Sequence, residues 1–130
     1  MSAWKRKALE MLPEFRGEFE ETPNVMSLCI QLHEKLVDAY SHKPLDDDRV
    51  RRIYEYARWC LEESRNGDVV TAIVVAYFEH LPANRDVRDD LHRWISLKMF
   101  QGLEQPFRYH LSESKWAKFR DDFNRRRAPA

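Results

Sequence analysis

The most apolar stretch of the chain runs from Val69 to Phe78, where nine of ten residues are apolar and only Thr71 is polar. Asn66 and Gly67, directly before it, are typical of a left-handed turn that ends a helix, and Asp68 is a good N-cap for the next helix. The β-branched residues of the stretch would also fit one buried strand. A strand needs neighbouring strands for its backbone hydrogen bonds, and no other part of the sequence has a strand pattern. We therefore expect a central helix that its neighbours enclose on all sides.

Apolar residues recur at helical spacing on both sides of this stretch and predict further amphipathic helices. Pro13 lacks a backbone donor and predicts a kink or a restart in the first of them. Asn24, Ser96 and Ser112 are expected to cap later helices, because their side chains can accept a hydrogen bond from a backbone N–H of the first turn. The helix after Ser96 is expected to run to Leu111.

These patterns together predict an all-α fold, a single compact bundle of six to seven antiparallel helices around the central apolar helix. The chain has 130 residues, which suits one domain, and it contains no internal repeat and no low-complexity linker. We expect one helical domain over residues 1–130, with frayed ends at residues 1–6 and 125–130.

Charged residues are numerous but balanced, with 22 Lys and Arg against 22 Asp and Glu and a formal net charge of zero. Such a chain has no general attraction to nucleic acid or to anionic lipid. A DNA-binding helix-turn-helix does not fit either, because Val69 to Phe78 offers almost no polar side chain to base edges. No apolar run is long enough to span a membrane. No long uncharged apolar run follows the basic N-terminus, so we expect no signal peptide. We expect a cytoplasmic protein that binds neither nucleic acid nor a membrane.

The sequence contains no recognisable metal, cofactor or nucleophile motif. No two of its five histidines have the spacing of a metal site, and the glycines are too isolated for a phosphate-binding loop. Cys29 and Cys60 lack a Cys-x-x-Cys spacing, so we expect two buried, reduced thiols. No metal, no cofactor and no catalytic residue is predicted.

The best candidate site begins directly after the apolar stretch, at Glu79 and His80. We expect both residues at a cleft formed with the last third of the chain, where an acid beside an imidazole could transfer protons. We favour a structural interpretation, in which Glu79 accepts hydrogen bonds from the backbone or from an arginine, with Arg108 as one candidate partner. The candidate binding residues are Glu79, His80, His92, Arg108, Tyr109 and His110.

Four short strings of residues resemble a family of small uncharacterised bacterial proteins, classed as a domain of unknown function. The strings are Tyr56–Cys60, Phe78–Pro82, Trp94–Ser96 and Phe107–Leu111. The resemblance would cover residues 13–120. It implies an all-helical domain from the bacterial cytoplasm, and it brings no catalytic residue with it.

Because no reaction machinery is recognisable, the leading prediction is a non-enzymatic protein-interaction domain of an immunity or regulatory type. Charged clusters such as Asp46–Asp48, or Arg49 with Arg51 and Arg52, could steer a charged partner. The alternative is a small-molecule-binding protein or enzyme with a cleft near Glu79 and His80. A homodimer formed through an aromatic face at Trp4 or Trp116 is a third prediction.

Overall fold

The computed structural model describes residues 1–128, and within that range the chain forms nine α-helices and no β-strand. The α-helices are α1 (Ala3–Met11), α2 (Arg16–Glu20), α3 (Val25–Tyr40), α4 (Asp47–Arg58), α5 (Gly67–Ala76), α6 (Arg85–Asp90), α7 (Leu97–Gly102), α8 (Glu104–Arg108) and α9 (Glu113–Arg127). Short 3₁₀ helices cover Pro13–Phe15, Phe78–Ala83 and Leu91–Arg93, and a π-helical turn covers Trp59–Glu63. The all-α prediction is confirmed. The number of helices exceeds the predicted six to seven because several predicted helices are broken into shorter ones.

The chain divides into two compact units, Met1–Tyr77 and Phe78–Ala130. We call them the N-terminal unit and the C-terminal unit. The expectation of one domain over residues 1–130 stays a prediction. Helix α1 begins at Ala3 and α9 ends at Arg127, while the part of the expected fraying at residues 129 and 130 lies outside the described residues.

Helix α5 forms the greater part of the apolar stretch, so the helical interpretation is right and the strand alternative is wrong. It packs against α3 within the N-terminal unit. Its buried residues, Val69, Ala72, Ile73 and Ala76, recur at helical spacing and form one stripe. Val75 lies outside that stripe and is 41% exposed. The expectation that neighbours enclose this helix on all sides is therefore wrong, because α5 has one buried face.

Three expected helix caps are confirmed. Asn24 accepts a hydrogen bond from the N–H of Ser27 at 2.9 Å, and Ser96 accepts one from the N–H of Met99 at 3.1 Å. Ser112 caps α9 in the same way. Each cap needs only a side chain and a backbone N–H three residues later, which is why local sequence suffices to predict it.

The turn before α5 differs from the expected one. No described residue has a positive φ, so Asn66 and Gly67 form no left-handed turn. Asn66 is itself the N-cap and accepts a hydrogen bond from the N–H of Asp68 at 2.9 Å. The preceding helix ends instead in the π-helical turn Trp59–Glu63, after which Ser64 is extended.

The restart expected at Pro13 is confirmed, since α1 ends at Met11 and a 3₁₀ turn begins at Pro13. Glu14 in that turn accepts hydrogen bonds from both terminal nitrogens of Arg52, each at 2.7 Å, and one from Arg49 Nε at 3.1 Å. Arg52 Nε also donates to Asp48 at 2.9 Å. We call these four residues the Glu14 cluster; it ties the Pro13 turn to α4. The hydrogen bond from Arg52 is the main reason why the pKa of Glu14 falls to about 2.

Aromatic rings form the core of the C-terminal unit. Phe100 stacks on Phe123 with ring centroids 4.0 Å apart and on Trp116 at 5.7 Å. Phe119 meets Phe100 edge-on at 5.2 Å. Trp116 is buried in this core, so it is not available as the aromatic dimer surface that we expected.

The two cysteines, Cys29 and Cys60, are free and buried in the N-terminal unit. Burial raises the pKa of the Cys60 thiol to about 12 and that of Cys29 further above its usual value. Neither thiol is therefore ionised at neutral pH. Within residues 1–128 every helix is too short or too polar to cross a bilayer.

Candidate functional site

A groove of about 650 Å³ lies on the C-terminal unit. The 3₁₀ helix Phe78–Ala83, α6, the end of α8 with the turn after it, and α9 provide its walls and floor. We call it the α6–α9 groove. Its lining residues are Glu79, Pro82, Ala83, Arg85, Arg88, Asp89, Phe107, His110, Leu111, Lys115, Lys118, Phe119, Asp122 and Arg126.

The apolar part of the lining is formed by Pro82, Ala83, Phe107, Leu111 and Phe119. Pro82, Phe107 and Phe119 are buried, Leu111 is half-buried and Ala83 is exposed. Phe107 and Phe119 also touch each other edge-on, with ring centroids 5.7 Å apart. The groove therefore has an apolar floor that belongs to the core of the unit.

The wall formed by α9 follows from where that helix begins. The cap at Ser112 fixes the start of α9, so side chains three, four, seven and eleven residues after Lys115 share its face. Those side chains are Lys118, Phe119, Asp122 and Arg126, and all of them line the groove. One helix face thus supplies three cations, one carboxylate and one aromatic ring.

Glu79 and His110 meet at one part of the groove, with 2.9 Å between Glu79 Oε1 and His110 Nε2. The Glu79 side chain is only 14% exposed, whereas that of His110 is 50% exposed. The 3₁₀ helix that carries Glu79 packs against α8, and His110 follows directly after α8, which explains why residues so distant in sequence meet.

Two further rings surround this imidazole. The His80 ring stacks on His110 with centroids 5.4 Å apart, and the Tyr109 ring meets it edge-on at 4.9 Å. Tyr109 is itself 73% exposed. The arrangement orients a carboxylate–imidazole pair, yet the described lining residues include no serine, threonine or cysteine that the pair could activate as a nucleophile.

The remaining candidates lie elsewhere. Arg108 donates to Glu104 at 3.0 Å and lies over the Trp116 ring, so the expected pairing of Arg108 with Glu79 is wrong and His110 takes that role. His92 does not line the groove. Its backbone oxygen accepts a hydrogen bond from Arg127 at 2.8 Å.

Sequence analysis missed the charged centre of the groove at Asp89. The guanidinium of Arg126 lies 3.2 Å from Asp89 Oδ1 and also donates to the Asp89 backbone oxygen at 3.3 Å. Arg85 and Arg88 lie 3.7 and 3.9 Å from the same carboxylate. Part of this arrangement had a signal in the sequence, because basic residues recur at regular spacing along α9, the helix that carries Arg126.

Asp122 is the third carboxylate of the groove. It accepts a hydrogen bond from Lys118 at 2.8 Å and pairs with Arg125 at 3.1 Å. The hydrogen bond from Lys118 is the main reason why the pKa of Asp122 lies below its usual value. Over residues 1–128, no three His, Cys, Asp or Glu side chains are grouped so that they could hold a metal ion.

The model of one protein family matches residues 6–110, and that family is described as a domain of unknown function (DUF7674). The match covers well over half of the chain, so the chain belongs to this family. It includes Glu79, His80 and His110 and ends before α9. No curated protein and no solved structure matches the chain.

Proposed function

We propose that this family member is a non-enzymatic protein-interaction domain, and that the α6–α9 groove is the surface that binds its partner. One observation carries the proposal: the groove combines an apolar floor with walls of charged side chains. Protein-binding surfaces commonly have such an apolar centre within a polar rim.

The charged side chains of the groove favour a protein over a small molecule. Small-molecule sites enclose most of the ligand and fix it with a few well-placed polar groups. Here the walls consist largely of long side chains whose ends reach solvent, as those of Arg85 and Lys118 do. Side chains of this kind steer a charged partner and contribute to specificity at the rim of an interface.

The biological setting of this interaction is a further part of the proposal. The resemblance to small bacterial proteins supports a bacterial, cytoplasmic setting, and the sequence, with its mixed-charge surface and no recognisable reaction machinery, suggests a regulatory or immunity role. Each of these stays a prediction of the sequence.

An affinity experiment with two charge-reversed forms tests the proposal. The wild-type chain and the double variant R85E/K115E are immobilised, incubated with extract of the source organism, and their bound proteins quantified by mass spectrometry. The control is R16E, which makes one such charge reversal at the first residue of α2 in the N-terminal unit. We expect a protein that wild type and R16E retain equally and that the double variant loses by about tenfold or more. A bound protein that all three forms retain equally would show that the partner does not bind through the groove.

The pairing of Glu79 with His110 supports a second candidate, a small-molecule-binding protein or enzyme. The half-buried carboxylate and the imidazole, 2.9 Å apart, both line the groove and could exchange a proton with a bound molecule. A metabolite panel tests it by the melting temperature of wild type and E79Q. A compound that raises the wild-type melting temperature but not that of E79Q would favour this second function over the first.

A further inference from the structure

The α6–α9 groove carries more positive than negative charge. Its basic side chains outnumber its carboxylates by two, without counting His110. The basic side chains are Arg85, Arg88, Lys115, Lys118 and Arg126, and the carboxylates are Glu79, Asp89 and Asp122. The chain as a whole has a formal net charge of zero, whereas the C-terminal unit has 11 basic and 8 acidic side chains, so the groove shares the positive charge of its unit.

The carboxylates of the groove are already engaged by neighbouring cations or by an imidazole. Asp89 is approached by three arginines, Asp122 by Lys118 and Arg125, and Glu79 by His110. Lys115 is different, since its ammonium group makes no ion pair or hydrogen bond with any described residue. The groove therefore has a free cation close to its apolar floor.

The dimensions of the basic wall favour an elongated ligand. The groove-lining residues of α9 extend from Lys115 to Arg126, which is about 16 Å along a helix axis. That distance equals the length of about five residues of extended peptide. A compact metabolite would contact only part of this wall.

The carboxylates within the groove disfavour nucleic acid as the ligand. A nucleic-acid backbone presents regularly spaced phosphates and is bound by a surface of cations that neutralise them. Phosphates along the α9 face would meet Asp122 as well as the cations. A peptide can place its acidic residues against the cations and apolar residues elsewhere.

From the excess of cations, the free Lys115, the apolar floor and the length of the wall, we infer that the groove binds an acidic peptide segment of the partner that also contains a large apolar side chain. The acidic residues pair with the basic side chains of α6 and α9. The apolar side chain lies against Leu111 and Ala83, the two apolar lining residues that keep exposed surface above the buried Phe107 and Phe119. This inference rests on the proposed function and specifies the chemistry of the partner.

Selection from a displayed library of random eight-residue peptides tests the inference, with the full chain as target at about 0.15 M salt. We expect selected peptides to be enriched in Asp and Glu together with Leu, Phe or Trp. Synthetic copies of them, measured by fluorescence anisotropy, should bind K115E at least about tenfold more weakly than wild type and R16E within about twofold of wild type. K115E places Glu in the first turn of α9, where the helix dipole favours it, and R16E replaces an exposed pair with Glu20 that contributes little, so neither should unfold the chain.

Three results would overturn the inference. They are a selection that yields no binding peptide, peptides enriched in basic or uncharged sequences, and binding that K115E leaves unchanged. A 20-base-pair DNA duplex that binds more tightly than every selected peptide would reassign the groove to nucleic acid. If peptides fail but the affinity experiment still finds a protein that R85E/K115E loses, the proposed function stands and only the chemistry of its partner is wrong.

Discussion

The Glu14 cluster of the N-terminal unit and the α6–α9 groove of the C-terminal unit are both rich in charge, but they differ in how the charges are paired. In the Glu14 cluster, one carboxylate binds both terminal nitrogens of Arg52 at 2.7 Å, and Asp48 engages the same arginine. In the groove, the three arginines around Asp89 lie 3.2 to 3.9 Å away, and Lys115 makes no ion pair with a described residue. In the Glu14 cluster the contacts are short and bidentate, whereas the contacts around Asp89 are longer and Lys115 has none.

This difference shows how a charged surface can be interpreted. Arg49 and Arg52 were expected as a surface that steers a partner, yet both donate hydrogen bonds to Glu14. Their charge is compensated within the unit, and their role is to hold the turn at Pro13 against α4. The charge of Lys115, which no described side chain compensates, stays available to a partner of opposite charge.

The largest expected effect on stability is that of a substitution in the floor of the groove, compared with a substitution in its walls. Phe119→Ala should lower the free energy of unfolding by about 3–5 kcal/mol, because it removes a buried ring that packs on Phe100, Phe107 and Trp116. Urea denaturation followed by circular dichroism measures the loss. The wall variant Arg85→Ala is the control and should change stability by less than about 0.5 kcal/mol. Equal losses of stability in the two variants would mean that the walls contribute to the stability of the fold as much as the floor does.

The second largest effect on stability is expected in the Glu14 cluster. Glu14→Gln should lower the free energy of unfolding by about 1–2 kcal/mol. This is less than the ~3 kcal/mol implied by the pKa shift alone, because solvent screens a partly exposed ion pair. The matched control is Glu10→Gln, whose partner Lys7 lies 3.4 Å away on an exposed helix face. Urea denaturation of both variants should give a clear difference, and identical stabilities would make the Glu14 cluster an ordinary surface pair.

The pH dependence of the same variant sharpens the comparison. A carboxylate whose pKa is lowered on folding stabilises the folded state above its unfolded pKa, and that contribution is lost as the pH falls through the folded value. For Glu14 the window runs from about 4.5 down to about 2. Arg52 also lowers the pKa of Asp48, which acts in the same direction.

The stability difference between wild type and Glu14→Gln should therefore be constant from pH 7 to about pH 5 and should shrink as the pH falls further. Denaturation in urea at a series of pH values measures it. A difference that grows on acidification would contradict the assigned role of the Arg52 hydrogen bond.

Local features of this fold could be predicted from the sequence because they depend on few neighbouring residues. The caps at Asn24, Ser96 and Ser112 and the restart at Pro13 are of this kind. The helix expected from Ser96 to Leu111 is less accurate. It breaks at Leu103, between α7 and α8, and not at Pro106. Pro106 lies in the first turn of α8, where its missing N–H needs no partner.

The candidate site could be predicted only in part. Glu79 was singled out because it follows the apolar stretch, and it does line the groove. Its pairing with His110 could not be predicted, because it depends on how the 3₁₀ helix packs against α8. The same is true of Asp89 and Arg126, which are 37 residues apart in sequence. A sequence shows which charges exist, but packing decides which of them are paired.

The smallest expected effect on stability belongs to Lys115, and it tests the comparison most directly. Because the ammonium group of Lys115 has no partner among the described residues, Lys115→Ala should change the free energy of unfolding by less than about 0.5 kcal/mol. Lys118→Ala is the matched control on the same face, since it removes the hydrogen bond to Asp122. Urea denaturation measures stability, and anisotropy with a selected acidic peptide measures binding.

If Lys115→Ala weakens peptide binding at unchanged stability, the charge of Lys115 serves recognition. A loss of stability as large as that of Glu14→Gln would instead show that the groove is a second structural cluster, and the contrast between the two regions would disappear.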